Sequence, residues 1–145
     1  MRFYASDITK ALGVKRTTLQ QWMERGFIEP SLQSGKGSGV RNIFSIGDLC
    51  RIAAFMKLLR VGLGREEAAL WLRGFDFDEI ARRKTGVMVI IGRFAPVEEG
   101  GGFFPLEMRF LEAPEATVRL SEGDDLAIVL NVGGIVEEVV RRIGQ

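Results

Sequence analysis

The run Val14-Lys15-Arg16-Thr17-Thr18-Leu19-Gln20-Gln21-Trp22-Met23-Glu24-Arg25-Gly26-Phe27-Ile28 decides how the rest of the chain is read. Leu19, Trp22 and Met23 recur three and four residues apart while Arg16, Thr17, Gln20 and Gln21 fall elsewhere, the spacing of a helix with one apolar and one polar side. Gly26 suits a left-handed C-terminal cap, Phe27 and Ile28 return to a core, and Pro30 bars continuation. From Ser31 to Asn42 the chain is polar, with Gly35, Gly37 and Gly39 interleaved with Lys36 and Ser38, so its backbone can approach another backbone closely. A polar-faced helix followed by a basic, glycine-rich hairpin is the arrangement with which a protein enters a duplex groove and holds its flanking phosphates.

Outward from this run, Ile8, Ala11 and Leu12 predict a short helix that begins near Tyr4-Ala5-Ser6 and stops at Gly13. Downstream, Ser45 and Asp48 resemble a capping box. They open a helix whose buried side is expected to carry Leu49, Ile52, Ala53, Met56, Leu59 and Leu63. Arg65 to Leu72 predicts another helical piece, and Asp76 to Lys84 a brief charged helix and hinge. Near residue 85 the periodicity turns from helical to extended. Val87 to Ile91 is a continuous β-prone run suited to a strand covered on both faces, and Leu106, Met108 and Phe110 alternate with Glu107 and Arg109 as a one-sided strand does. Val118 and Leu120 suggest a third strand and Leu126 to Val132 a fourth. A last helix follows Gly133-Gly134, with Ile135, Val136, Val139, Val140 and Ile143 on one face and the pairs Glu137/Arg141 and Glu138/Arg142 on the other.

The ordered series Ala11-Leu12-Gly13-Val14, Thr18-Leu19, Trp22 and Met23-Glu24-Arg25-Gly26-Phe27 resembles the DNA-binding domain of the MerR family of bacterial transcription regulators. The resemblance continues through Gly39-Val40-Arg41-Asn42-Ile43-Phe44-Ser45-Ile46-Gly47-Asp48-Leu49 and Val61-Gly62-Leu63-Gly64-Arg65-Glu66-Glu67, and it covers about half of the chain, from Tyr4 to Leu72. It implies a winged helix-turn-helix and an operator that is bent or untwisted. The family usually has Arg where this chain has Thr17 and Gln20, and Tyr or Phe where it has Gln21. Gln pairs with adenine N6 and N7 whereas Arg prefers guanine, so these departures shift base preference. The family's long dimerisation helix has no room here, because Gly74 and Thr85-Gly86 interrupt any such span.

Charge divides the chain in the same place. Of its 20 Lys and Arg and 19 Asp and Glu, 15 and 9 lie in residues 1 to 84, net +6, and 5 and 10 lie in residues 85 to 145, net −5. Local positive charge attracts phosphates, and the acidic half is expected to point away from the same duplex. With 46% hydrophobic and 27% charged residues the composition is that of an ordinary globular protein. The longest near-apolar run, Leu126 to Val136, is too short to span a bilayer, and the first residues lack the apolar core of a signal peptide, so a cytoplasmic location without membrane attachment is expected. The absence of His and the single Cys50 remove His-dependent triads, the usual zinc sets and paired-thiol sensing. Cys50 itself reads as core packing. Gly35-Lys36-Gly37-Ser38 lacks the spacing of a nucleotide-binding P-loop. Asn131-Val132-Gly133-Gly134 could offer amides to an anion, although paired glycines more often make a turn. Adjacent carboxylates diverge where the chain is extended, and Glu98-Glu99, Asp124-Asp125 and Glu137-Glu138 are read as solvated, so neither an enzyme nor a bound metal or other cofactor is expected.

The expectation is therefore an α+β protein. A MerR-like winged helix over residues 1–75 and a helical linker over 76–84 precede a small acidic α/β domain over 85–145, with about four strands and a C-terminal helix. Its function would be sequence-specific binding of double-stranded DNA in transcription regulation. Lys15, Arg16, Thr17, Thr18, Gln20 and Gln21 would act from the recognition helix, and Lys36, Ser38, Arg41 and Asn42 from the wing, on phosphates or the minor groove. Residues 85–145 would form a homodimer, through a strand edge or the helix from Ile135 to Ile143, or recruit RNA polymerase or another protein. The alternatives are an architectural DNA protein, such as a phage excisionase or the DNA-recognition subunit of a packaging machine, and a protein-interaction adaptor that no longer binds DNA.

Overall fold

The computed structural model describes residues 1–35, 39–112 and 119–145. Among them the chain is mixed α/β. Helices α1 (Ala5–Leu12), α2 (Arg16–Glu24), α3 (Ile46–Arg60), α4 (Arg65–Arg73) and α5 (Phe77–Arg83) precede strands β1 (Val87–Phe94), β2 (Phe103–Leu111) and β3 (Leu126–Asn131), and helix α6 (Val132–Ile143) closes the order.

Local chemistry sets the helix ends. The Tyr4 backbone N–H donates to the Asp7 carboxylate at 2.7 Å to open α1, and Gly13 ends it at φ 70°. At the start of α3, Asp48 N–H donates to Ser45 Oγ at 3.1 Å and Ser45 N–H donates back to Asp48 Oδ2 at 2.9 Å, the reciprocal capping box expected there.

The buried side of α3 is wider than the expected stripe. Cys50, Ala54, Phe55 and Leu58 are buried along with Leu49, Ile52 and Ala53, while Met56 and Leu59 are only half-buried. Periodicity foresees one covered face, whereas α3 is the hub of the fold, packed by α4, α5 and α6. Phe77, Ile80 and Ala81 of α5 are buried too, so the segment expected to serve as a hinge belongs to the core.

Three strands are present among the described residues where about four were expected. Leu120 lies in no regular element, and Val118 lies outside the described residues. The sheet is antiparallel throughout, in the order β2-β1-β3. Central β1 is buried from Val87 to Ile91, as its unbroken apolar run demands. Met88 and Ile90 join the helices in the main core, while Val87, Val89 and Ile91 form a smaller cluster with Leu111 and Ala127 on the opposite face. At Ile91/Gly92 the register with β2 shifts, and Leu106 is the residue without a counterpart. Gly92 is required there, because a Cβ would lie 2.1 Å from the Phe104 carbonyl oxygen.

The change of periodicity near residue 85 is the passage from α5 to β1, and the core is continuous across it. Val132, Ile135, Val136 and Val139 of α6 share one buried cluster with Ile8, Leu19, Trp22 and Phe55. Arg142 donates to the Ala11 carbonyl at 3.2 Å, and Lys57 pairs with Glu138 at 3.3 Å. Most of the apolar face of α6 is thereby packed inside its own chain, although Val140, expected on that face, is 43% exposed.

Candidate functional site

Helix α2 buries Leu19 and Trp22 and presents the rest of its circumference. At roughly 100° per residue, Arg16, Gln20, Glu24, Thr17 and Gln21 follow one another around a continuous arc. All five are exposed, as is Lys15 at the N-cap, whereas Thr18 is half-buried at the margin beside Trp22. The Gln20 side-chain amide donates to Glu24 Oε1 at 2.9 Å, an i,i+4 contact made through its nitrogen. Arg73 of α4 donates to the Gly26 carbonyl at 2.8 Å and fastens the end of α2.

The glycine-rich segment is closed at its base. Gln33 and Ile43 exchange backbone hydrogen bonds at 3.1 and 2.9 Å, and the neighbouring Phe44 does the same with Phe3 at 2.9 and 3.0 Å. Gly35 approaches the returning chain so closely that a Cβ would sit 2.5 Å from the Val40 carbonyl oxygen. A groove of about 410 Å³ separates this returning chain from α2, lined by Tyr4, Ser6, Arg16, Gln20, Val40 and Arg41.

Each expected contact residue has a definite place, apart from Lys36 and Ser38, which lie outside the described residues. Arg16, Gln20 and Arg41 meet on the one groove, Thr17 and Gln21 lie further round α2, and Lys15 stands at its start. Lys15, Arg16 and Arg41 form no ion pair among the described residues, so their charge is available to an anion. Asn42 is different. Its side-chain oxygen accepts from Gly35 N–H at 2.6 Å and its amide nitrogen donates to Met23 Sδ at 3.6 Å, so it ties the segment to α2. Both ends of the amide are engaged within the chain, which suits a positioning part better than a phosphate contact.

A buried carboxylate supports the site from behind. Asp48 Oδ2 accepts from Ser31 N–H and Ser31 Oγ, both at 2.8 Å, as well as from Ser45, and so joins the start of the glycine-rich segment to α3. Asp78 of α5 accepts from Gly47 N–H at 3.0 Å and from Ser45 Oγ at 3.1 Å. The capping motif announced Asp48. Nothing in the local pattern announced Ser31 or Asp78, which are 17 and 30 residues away along the chain.

The remaining candidates take structural parts. Burial first, and the charge of Asp78 second, push the Cys50 thiol up to about 12, so it stays protonated and inert. Asn131 Oδ1 accepts from Gly134 N–H at 2.9 Å and Gly133 N–H donates to the Gly86 carbonyl at 3.0 Å, leaving these amides already occupied within the chain. Asp125 accepts from Phe94 N–H at 2.8 Å and Asp124 from Ser121 N–H at 2.7 Å. No helix of the described residues is long and apolar enough to cross a membrane. No protein-family model matches the chain, and no curated protein matches it.

Proposed function

We propose that this chain binds double-stranded DNA sequence-specifically, as a regulator of transcription of the MerR-like type. In this reading residues 1–75 act as a winged helix-turn-helix, α2 enters the major groove and the segment closed by Gln33 and Ile43 is the wing. The observation that carries it is the groove on which Arg16, Gln20 and Arg41 converge, two cations without carboxylate partners among the described residues beside a side-chain amide. Arg16, Arg41 and Lys15 serve the phosphates, with Lys36 and Ser38 assigned to the same task from the sequence. Gln20, Gln21 and Thr17 face base edges, and Gln at two of these positions favours adenine. The acidic residues 85–145 stay clear of the duplex and hold two copies together, with RNA polymerase or another protein as a further partner and the cytoplasm as the working compartment.

Selection of bound duplexes from a random pool, followed by fluorescence anisotropy over a salt series, tests this. Arg41→Ala is expected to weaken every sequence alike and to flatten the log K against log salt slope by about 1, whereas Gln20→Ala changes preference at particular base pairs. Absence of any salt-dependent duplex binding would favour the protein adaptor.

A further inference from the structure

The sheet ends in two edges among the described residues, β2 on one side and β3 on the other. Of these β2 is the longer, at 9 residues against 6, and its flank is apolar, with Phe104, Leu106 and Met108 exposed by 52%, 56% and 43%. An edge of this length and character is a template for another strand. Pro105, which has no N–H to give a ladder, is tolerated because β2 is an edge, and it confines further pairing to the residues that follow it.

The order of charges selects the occupant. In Leu106-Glu107-Met108-Arg109-Phe110, opposite charges flank a central apolar residue, and both project from the same face of the sheet, opposite Ile91 and Val89 of β1. Within one chain they reach each other, Arg109 donating to Glu107 at 2.7 Å while both stay about half exposed. A two-fold axis perpendicular to an antiparallel pair of identical strands must pass beside one residue and its own copy. Centring on Glu107 sets carboxylate against carboxylate, and centring on Arg109 sets guanidinium against guanidinium. Centring on Met108 sets each charge against its opposite, with Leu106 against Phe110.

We propose that β2 pairs antiparallel with β2 of a second copy of this chain about a two-fold axis at Met108, each Glu107 facing the partner's Arg109. This rests on the homodimer of the reading above and specifies its surface, and it makes one six-stranded sheet of two three-stranded ones. Of the two surfaces named from the sequence, α6 packs most of its apolar face in its own core, whereas the β2 edge keeps Phe104, Leu106 and Met108 exposed.

Sedimentation velocity of the full chain without DNA tests it, with circular dichroism as the check of folding. The wild type is expected to be a dimer, and Glu107→Arg alone or Arg109→Glu alone to weaken it about tenfold or more, since each puts like charges opposite one another twice. An equimolar mixture of the two variants is expected to dimerise again. Neither variant can form its own 107–109 ion pair, so that recovery arises only between chains. Leu106→Lys, at an exposed position, leaves Glu107 and Arg109 in place, sets a charge against the partner's Phe110 and is expected to weaken the dimer as well. A wild type that stays monomeric overturns the homodimer together with this edge. A dimeric wild type whose variants dimerise unchanged, or whose mixed variants fail to reassociate, overturns the β2 edge alone and leaves duplex binding to its own assay.

Discussion

Asp48 bears the most consequence of any single side chain described. It is a buried carboxylate that receives three hydrogen bonds on one oxygen, two from Ser31 and one from Ser45. Bonds to a charged acceptor are stronger than neutral ones, and removal of the acceptor leaves buried donors unpaired. Asp48→Ala is therefore expected to cost about 1–3 kcal/mol of stability, read from urea denaturation, and to release Ser31, where the glycine-rich segment begins. A loss within 0.5 kcal/mol would show that water replaces these contacts freely. The capping half of this arrangement was legible, since Ser45 and Asp48 are three residues apart. The Ser31 half was not, because a hydrogen bond across 17 residues leaves no periodic trace. Asn42 shows the converse: as a polar residue in a basic tract it suggests a phosphate contact, yet the closeness of Gly35 and Met23 turns its amide inward.

Among the elements, α6 is the one whose surroundings matter most. Its apolar face was plain in the spacing of Ile135, Val136, Val139 and Ile143, and of the two ion pairs anticipated on its other face Glu138–Arg142 forms at 2.6 Å. Periodicity could not say which surface the helix covers, and the answer is α1, α3, α5 and β1. Glu138 also reaches Lys57 of α3. Partial burial pushes its carboxyl up, but Lys57 and Arg142 outweigh that and hold it below the ordinary carboxylate range. A carboxylate depressed in the folded state contributes stability that is present above its unfolded pKa, near 4.3, and is lost as pH falls through the lower folded value. Glu138→Gln is thus expected to lower stability by about 0.5 kcal/mol at pH 7, discounted for exposure and screening, and the two proteins should converge in acid. Thermal unfolding between pH 7 and pH 3 measures this, and a difference that persists undiminished at the acid end would assign the effect to packing.

For the molecule as a whole, the shared core predicts that its two charge-defined halves unfold together. Both tryptophans, Trp22 and Trp71, belong to the basic half, and Trp71 also packs edge-on against Phe103 of β2 at 5.8 Å, so their fluorescence follows the shared core. Ile135 is 3% exposed and belongs to the same buried cluster, and Ile135→Ala is expected to cost about 2–5 kcal/mol and to move the Trp transition by that amount in one step. A Trp transition unchanged by this substitution would mean that the basic half stands without α6. Much of the molecule follows from the chain order alone. Local spacing was enough for the helices from α1 to α6, the buried run of β1 and the polar arc of α2, because each of these is written in neighbours no more than a few residues apart, and the division of charge is read from composition. The tertiary structure alone decided that α3 is surrounded, that α6 returns to the first helices, that Asp78 and Ser31 meet the start of α3, and that Arg41 shares a groove with Arg16 and Gln20. Those juxtapositions depend on which buried faces find one another in three dimensions, and apolar burial is non-directional, so pattern names the faces and only the folded chain pairs them.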